Sequence, residues 1–308
     1  MALSGVLQTY GDVSKREDVV LNSIEILTAV ENTIQTKLGK TKAINTVHSY
    51  LVDTLATAAS AAVEQGQDFT MVARTTPTRL TNIVEEIAIP FAVTRVEEVA
   101  QSYSGVNELD RQLTKSLKDF GNALEFDLVR ATLASGLSGT VATFNGIING
   151  TSLANNTTAQ TSGTVLSASI LDALMYNSWN TSNGDVATEV FVGGILKRAT
   201  DNFVQKSNVV VNNPGSVSNI VRTVTTFETS MGTVTINKHR YVQQAADATG
   251  RVLAIRPEKI KIAYLDMPFI KDLAENGAYA KKAVYGSATV EFRNQNSNFF
   301  STGYLLSA

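Results

Sequence analysis

The segment that most limits how this chain can fold is Asn107 to Ser135, NELDRQLTKSLKDFGNALEFDLVRATLAS, the longest uninterrupted helical pattern in the sequence. Leu109, Leu113, Leu117, Phe120, Leu124, Leu128 and Ala131 recur at steps of four and three, which keeps them on one side of a 3.6-period helix. Glu108, Arg111, Lys115, Lys118, Asp119 and Glu125 spread over the remainder. At ~1.5 Å per residue such a rod is on the order of 40 Å long, well beyond an ordinary globular helix. Asn107 supplies an N-cap with Asp110 three residues on, and Gly136 is expected to take the left-handed position that ends it. Leu109, Leu113, Leu117, Phe120, Leu124 and Leu128 are the expected spine-helix core, and Leu117→Asp is expected to abolish folding by burying a carboxylate.

A second apolar row, Phe126, Val129, Leu133 and Leu137, makes the C-terminal half of the rod greasy on two sides. Two readings stay open: a helix sandwiched inside one core, or a helix that packs on its own domain with one side and on a neighbouring subunit with the other.

The chain has 308 residues, above the usual size of a single core, so two lobes are expected. Charged residues make up only 18% against 44% hydrophobic, which is sparse for a freely solvated surface. A net charge of -2 argues against tight sequence-independent nucleic-acid binding by a broad basic face. The absence of cysteine removes disulfides, thiolate catalysis and cysteine metal sites. The first residues, MALSGVLQTYGDVSKRED, lack the pattern of a signal peptide, and no run of apolar residues is long enough to predict a membrane span.

In chain order, residues 1–40 read as an arm lying on a surface, with one short helix at Ser14 to Ala29. Residues 44–56, INTVHSYLVDTLA, look extended, and Ala56 to Val63 is ambiguous between helix and loop. Phe69 to Ala100 is rich in β-branched residues with period-two alternation and predicts a long two-stranded excursion returning to the rod at Ser104-Gly105, with Pro77 and Pro90 suited to edge positions. Gly136 to Ser169 reads as a crossover anchored by Phe144, Ile147 and Ile148.

The second lobe reads as α/β. Its expected elements are a helix capped by Ser167, a strand at Ala187 to Val192, a helix from Gly194 to Val204 and a hairpin of Ile220 to Thr229 with Thr233 to Arg240. Strands at Val252 to Ile255 and Ile260 to Tyr264 follow, then an alternating segment Lys281 to Phe292 and a tail through Phe299, Phe300 and Tyr304.

Chemistry is sparse. His48 and His239 stand alone, and a lone histidine is more often structural than catalytic or metal-binding. The turn Phe191 to Lys197 lacks the spacing of a phosphate-binding loop, and Asn155-Asn156-Thr157, a formal glycosylation acceptor, reads as a polar loop. Glu85-Glu86 and Glu97-Glu98 are read as strand neighbours pointing to opposite faces, which is no catalytic dyad. No catalytic, metal or cofactor-binding residue is assigned. Arg74, Arg79, Glu85, Glu86, Arg95, Glu97 and Glu98 instead place both signs of charge along an exposed ribbon, as candidate assembly contacts or as a solvated edge.

Taken together, the N-arm, AINTVHSYLVDTL before the hairpin, the rod opening NELDRQLTKSLKDFGNALEFDLV, the FNGIING crossover, the α/β lobe and the strand after DLAENGAYAKKAVYGSATVEF resemble a tailed-bacteriophage major capsid protein, of the SU-ten-like major head protein subfamily. The resemblance spans nearly the whole chain and rests on the order of the parts. It implies an α+β, HK97-like phage capsid fold with an N-arm (1–45), the start of the peripheral domain and an extended β-hairpin loop (46–105), the long spine helix and crossover of the peripheral domain (106–149), an α/β axial domain (150–265), and a return to the peripheral domain with a C-terminal strand (266–308).

It also implies hexamers and pentamers tiling an icosahedral virion shell around non-specifically packaged double-stranded DNA, assembled in the bacterial host cytoplasm with a portal and no membrane, and leaves open whether a decoration protein binds. The short arm predicts a separate scaffolding protein and no large processed segment. Some relatives join subunits by lysine–asparagine bonds, but no lysine lies between Lys42 and Lys115, so non-covalent contacts are expected. A tail or surface-layer polymer, and a soluble α/β enzyme, are the competing classes.

Overall fold

The structure is a computed structural model that describes residues 32–56, 58–68, 71, 74–99, 107–137, 139–150, 157–182, 184–201, 225–275 and 277–306. The expected helix at Ser14 to Ala29, the return at Ser104-Gly105, Asn155-Asn156, residues 202–204 of the second-lobe helix and the start of the strand from Ile220 lie outside these residues. In chain order the elements are α1 (Thr33–Lys37), β1 (Gly39–Lys42), β2 (Val47–Val52), β3 (Thr78–Ile83), β4 (Glu85–Thr94), α2 (Arg95–Val99) and the long α3 (Glu108–Arg130). There follow β5 (Ala134–Ser135), β6 (Ala142–Thr143), α4 (Ile147–Gly150), β7 (Thr157–Thr164), α5 (Ala168–Thr181), β8 (Glu189–Val192), α6 (Gly194–Asp201), β9 (Thr226–Thr229), β10 (Gly232–Lys238), β11 (Gly250–Ile255), β12 (Ile260–Asp272), β13 (Tyr279–Phe292) and β14 (Phe299–Tyr304).

The rod forms where its periodicity puts it. Asn107 caps it by accepting the N–H of Leu109 at 3.0 Å, and Phe120, Leu124, Leu128 and Val129 are buried. It ends at Arg130, short of Ser135. The crossover causes the early stop: Gly146 donates its N–H to the Ala131 carbonyl at 2.9 Å, and the Asn149 amide takes the Arg130 carbonyl at 2.9 Å. A third chain segment thus satisfies carbonyls that the next helical turn would otherwise have used. Gly136 does have positive φ, but as part of the β5–β6 hairpin. Leu117, expected in the core, is 47% exposed. It lies on the apolar stripe but toward the rod's N-terminal half, upstream of most of the buried positions.

Beside the rod lies a four-stranded sheet in the order β1-β12-β13-β4. β4 runs antiparallel to β13 from Thr94 opposite Tyr279 to Glu85 opposite Ala288, and Pro90 sits on this edge strand, where its missing donor is tolerated. The expected excursion over Phe69 to Ala100 is therefore corrected. β3 pairs with β2 instead, Val47 opposite Ile83 through Val52 opposite Thr78, and β4 leaves the ribbon for the sheet. Glu97 and Glu98, read as strand residues, stand on the short helix α2.

The second lobe is a six-stranded sheet, β7-β14-β11-β8-β10-β9. Ser167 caps α5, accepting the Ile170 N–H at 3.4 Å. Strand alternation splits β8 and β11 between two cores: Val190, Val192, Val252 and Ala254 pack toward Leu171, Leu174, Met175 and Leu196 of α5 and α6, whereas Phe191, Leu253 and Ile255 face the cluster built on α3. Both faces are buried, which is why these strands read as continuous apolar runs. The tail, to which the sequence assigns no sheet, is a strand. Phe299 to Tyr304 form β14 between β7 and β11 in the six-stranded sheet, with Phe300 in the cluster built on α3.

Candidate functional site

The β2–β3 ribbon, from which the segment between them extends, is tied to the rest of the subunit at the end of β3. Asn82, at the end of β3, donates to the Val290 carbonyl at 2.9 Å and accepts the Asn145 N–H at 2.9 Å. Three residues on, Glu85 opens β4 and accepts the Phe144 N–H at 3.3 Å. The crossover motif FNGIING is thereby gripped from the loop root on one side and from the end of α3 on the other. Gly146 must be glycine for this: a Cβ would stand 2.6 Å from the Asp127 carbonyl oxygen and 2.8 Å from the Ala131 nitrogen.

Glu85 was expected on an exposed ribbon, but only 7% of it is exposed. Its carboxyl meets that of Asp127 on α3. Burial, and then the charge of Asp127, push Glu85 up to about 7; burial pushes Asp127 up to about 6. Both carboxyls are thus harder to ionise than usual, as carboxyls brought together in a partly desolvated site are.

The arm's root is tied down by a second carboxylate. Glu125 is fully buried and accepts the N–H groups of Ile34 at 2.6 Å and Gln35 at 2.9 Å. Its Oε1 also lies 2.9 Å from Nε2 of His239, whose Nδ1 accepts the Tyr241 N–H at 3.2 Å. The tautomer that satisfies both bonds carries its proton on Nε2. Lys37 adds an ion pair to Glu189 at 2.7 Å, so α1 bridges the spine and the six-stranded sheet. Sequence reasoning set Glu125 on the polar side of the rod; the only signal that could have singled it out is its place within the greasy C-terminal half.

Of the remaining charged ribbon candidates, Arg74, Arg79, Glu86 and Glu97 are exposed. Arg79 donates to Ser49 Oγ at 2.7 Å across the β2–β3 ribbon, and Arg95 pairs with Glu98 at 2.8 Å within α2. These residues do not converge on one point. Apolar side chains are exposed beyond the end of the spine, at Leu133, Leu137 and Val141, and on α2, at Val96 and Val99.

Among the described residues no group of histidine and carboxylates could hold a metal, and no helix is long and apolar enough to cross a membrane. His48 lies 3.5 Å from Glu291. In the Phe191–Lys197 turn a Cβ on Gly193 would stand 2.3 Å from Cβ of Gln243, so packing explains the glycine.

Solved structures share this architecture over nearly their whole length. The capsid of a native GTA particle matches with a TM-score of 0.67 at 11% identity, over 99% of this chain and 100% of that one. The capsid of Myoviridae phage XM1 matches at 0.63 and 13% identity, over 93% and 96%. The encapsulin in the holo-SrpI complex of Synechococcus elongatus PCC 7942 matches at 0.64 and 10%, over 98% of each chain. The fold is that of the HK97-like shell proteins. No curated protein sequence matches the chain. The model of the SU10 major capsid protein family does, over residues 7–304, and the chain belongs to that family. It is accordingly a shell-forming structural protein of the virion.

Proposed function

We propose that copies of this chain assemble as hexamers and pentamers into an icosahedral head around double-stranded DNA. In this reading the extended loop, residues about 55–100, lies on the adjacent subunit, and residues of roughly 150–265 meet at the five-fold and six-fold centres. The observation that carries it is the end-to-end correspondence with shell subunits, 99% of this chain and 100% of the GTA capsid chain, inside a major capsid protein family. Exposed Leu133, Leu137, Val141, Val96 and Val99 supply apolar surface for neighbours to cover. Arg74, Arg79, Glu86, Arg95, Glu97 and Glu98 supply charge complementarity between subunits.

The role is structural, with no catalysis. A separate scaffolding protein and a portal are its partners during assembly in the host cytoplasm, and a decoration protein is compatible with it. With no lysine between Lys42 and Lys115, the extended loop cannot supply a lysine cross-link, and contacts are non-covalent.

Electron microscopy of particles in which this chain is the dominant band tests the reading; closed shells are expected, whereas tubes or sheets would favour a tail or surface-layer polymer. Arg79→Glu should leave a soluble subunit that does not assemble. Normal particles from that variant would remove the ribbon from the contacts. A covalent ladder on a denaturing gel of mature particles would overturn the non-covalent shell.

A further inference from the structure

We propose that His48 is an acid-strengthened latch for the β2–β3 ribbon: charging its imidazole turns a buried but unbonded approach to Glu291 into an ion pair that holds the ribbon, and with it the root of the extended segment, on β13. His48 Nε2 stands 3.5 Å from Glu291 Oε2, with 13% of the histidine side chain and 6% of the glutamate's exposed. That nitrogen is closed to solvent and has no hydrogen-bond partner. A buried polar atom left in this state costs its desolvation. The carboxylate already accepts Arg293 Nε at 2.7 Å on Oε1, and it turns its other oxygen toward the imidazole. Protonation makes both ring nitrogens donors, and a charge-assisted bond of about 2.8 Å is reached by an approach of less than about 1 Å.

The contact sits where the ribbon can be held or loosened. β2 and β3 form a sheet of their own, and two strands alone are marginal in water. Their seat is the end of β13. Asn82 donates to the Val290 carbonyl at 2.9 Å, and His48, directly opposite Asn82 in the ribbon, meets the next residue, Glu291. Tyr50, two residues on and so on the same face as His48, packs against the cluster built on α3. Burial pushes the Tyr50 hydroxyl up, so it stays neutral. Of the three contacts only that of His48 changes charge in mild acid.

The other groups around the ring do not supply the missing bond. From β3, Arg79 donates to Ser49 Oγ at 2.7 Å. Asn82 of β3 and Asn145 of the crossover have nothing to titrate. From β13, Arg293 is the counter-charge of Glu291, but its side chain is half exposed and solvent screens it. From β12, Lys261 stands opposite Glu291 in the ladder, and its stem lies against Gly39 of β1. Histidine changes charge between about pH 5 and pH 8. The latch therefore tightens as pH falls through that range, is lost as pH rises through it, and weakens again below about pH 4, where carboxylates take up protons.

Hydrogen exchange and nitrogen-15 spectra of the full-length chain test it. His48 and His239 are the only histidines, so His48→Gln assigns the imidazole signals. Protection of the β2 and β3 amides, corrected for the intrinsic pH dependence, should rise on the order of tenfold from about pH 8 to about pH 5.5, the size of one charge-assisted hydrogen bond, in step with the charging of the His48 ring. His48→Gln and Glu291→Gln, made separately so that one folded variant suffices, should each remove that rise. Glu85 and Asp127 are present in both variants, so the difference from wild type belongs to the latch. Protection that is flat with pH in the wild type, that moves out of step with the ring, or that rises equally in a folded variant would overturn it. None of these results bears on whether the chain forms shells.

Discussion

The Glu125 carboxylate and the His239 imidazole, from the spine helix and from the end of β10, meet at 2.9 Å in a site closed to solvent. Two backbone N–H groups of α1 end on the same carboxylate. One side chain therefore fixes the mutual placement of arm root, spine and six-stranded sheet.

Glu125→Ala orphans three donors at once and is expected to cost on the order of 3 kcal/mol or more, since each buried unsatisfied group costs its desolvation. Glu125→Gln retains one accepting oxygen but turns a donor toward another, so it recovers only part of the loss. Urea unfolding midpoints measure both. Limited trypsin digestion should show faster cleavage after Lys37 in both variants, because α1 loses its hold.

Leu117→Asp should leave the subunit folded, within about 0.5 kcal/mol, because an exposed side chain has little burial to lose. Leu128→Asp, identical in chemistry but buried, should prevent folding, as the burial of a carboxylate costs several kcal/mol. Circular dichroism melts of the two distinguish them, and equal effects would show that the spine is covered along its whole length.

Gly146→Ala is expected to destabilise by roughly 2 kcal/mol or more through overpacking, since its Cβ meets only unyielding backbone. Gly139→Ala is the control. There φ is +80° and nothing lies within 4 Å, so only the conformational cost of about 1–2 kcal/mol applies. A larger loss at Gly139 than at Gly146 would count against the gripped crossover.

Arg130 reaches both oxygens of Asp247 and two carbonyls. Arg130→Lys cannot span that fork and should lose about 1–3 kcal/mol. Burial works to raise the Asp247 carboxyl, yet hydrogen bonds from Arg130 and the Gln244 N–H, with the charges of Arg130 and Arg251, hold it below the usual range. Its contribution is present above about pH 4 and fades as pH falls through the lower folded value. Thermal melts should therefore rise from about pH 8 toward mild acid as Glu85 and Asp127 are relieved, then fall below about pH 4, less steeply in Arg130→Lys.

What the sequence disclosed was what local periodicity encodes. The amphipathic stripe of α3, the Ser167 cap and the β9–β10 turn are written in neighbouring residues, and the order of parts was enough to suggest the shell fold. The end of α3 was not legible, because Gly146 acts on it from sixteen residues beyond Arg130. Glu85 and Glu125 were read as surface charges, since nothing adjacent in sequence says that a carboxyl will find a second carboxyl or a histidine. The partner of β3 was misjudged for a similar reason: Phe69 to Arg74 and Val47 to Val52 are both eligible by composition, and long-range register decides between them. The sheet that β14 joins is not legible either, because a terminal strand shows no local mark of the sheet it enters.

The long antiparallel register of β4 on β13, Glu85 to Thr94 against Ala288 to Tyr279, has a mechanical consequence. β3 passes into β4 through Val84 alone, so whatever pull β3 carries from the extended segment enters the sheet at Glu85, and the part of it along β4 loads the ladder in shear. Pairs loaded in that direction share the force and must slip together, whereas a strand pulled sideways would peel one pair at a time. The β4–β13 ladder is thus stiff toward that shear, and the polar bonds of Asn82 and Glu85 stand just ahead of it in the path of the load.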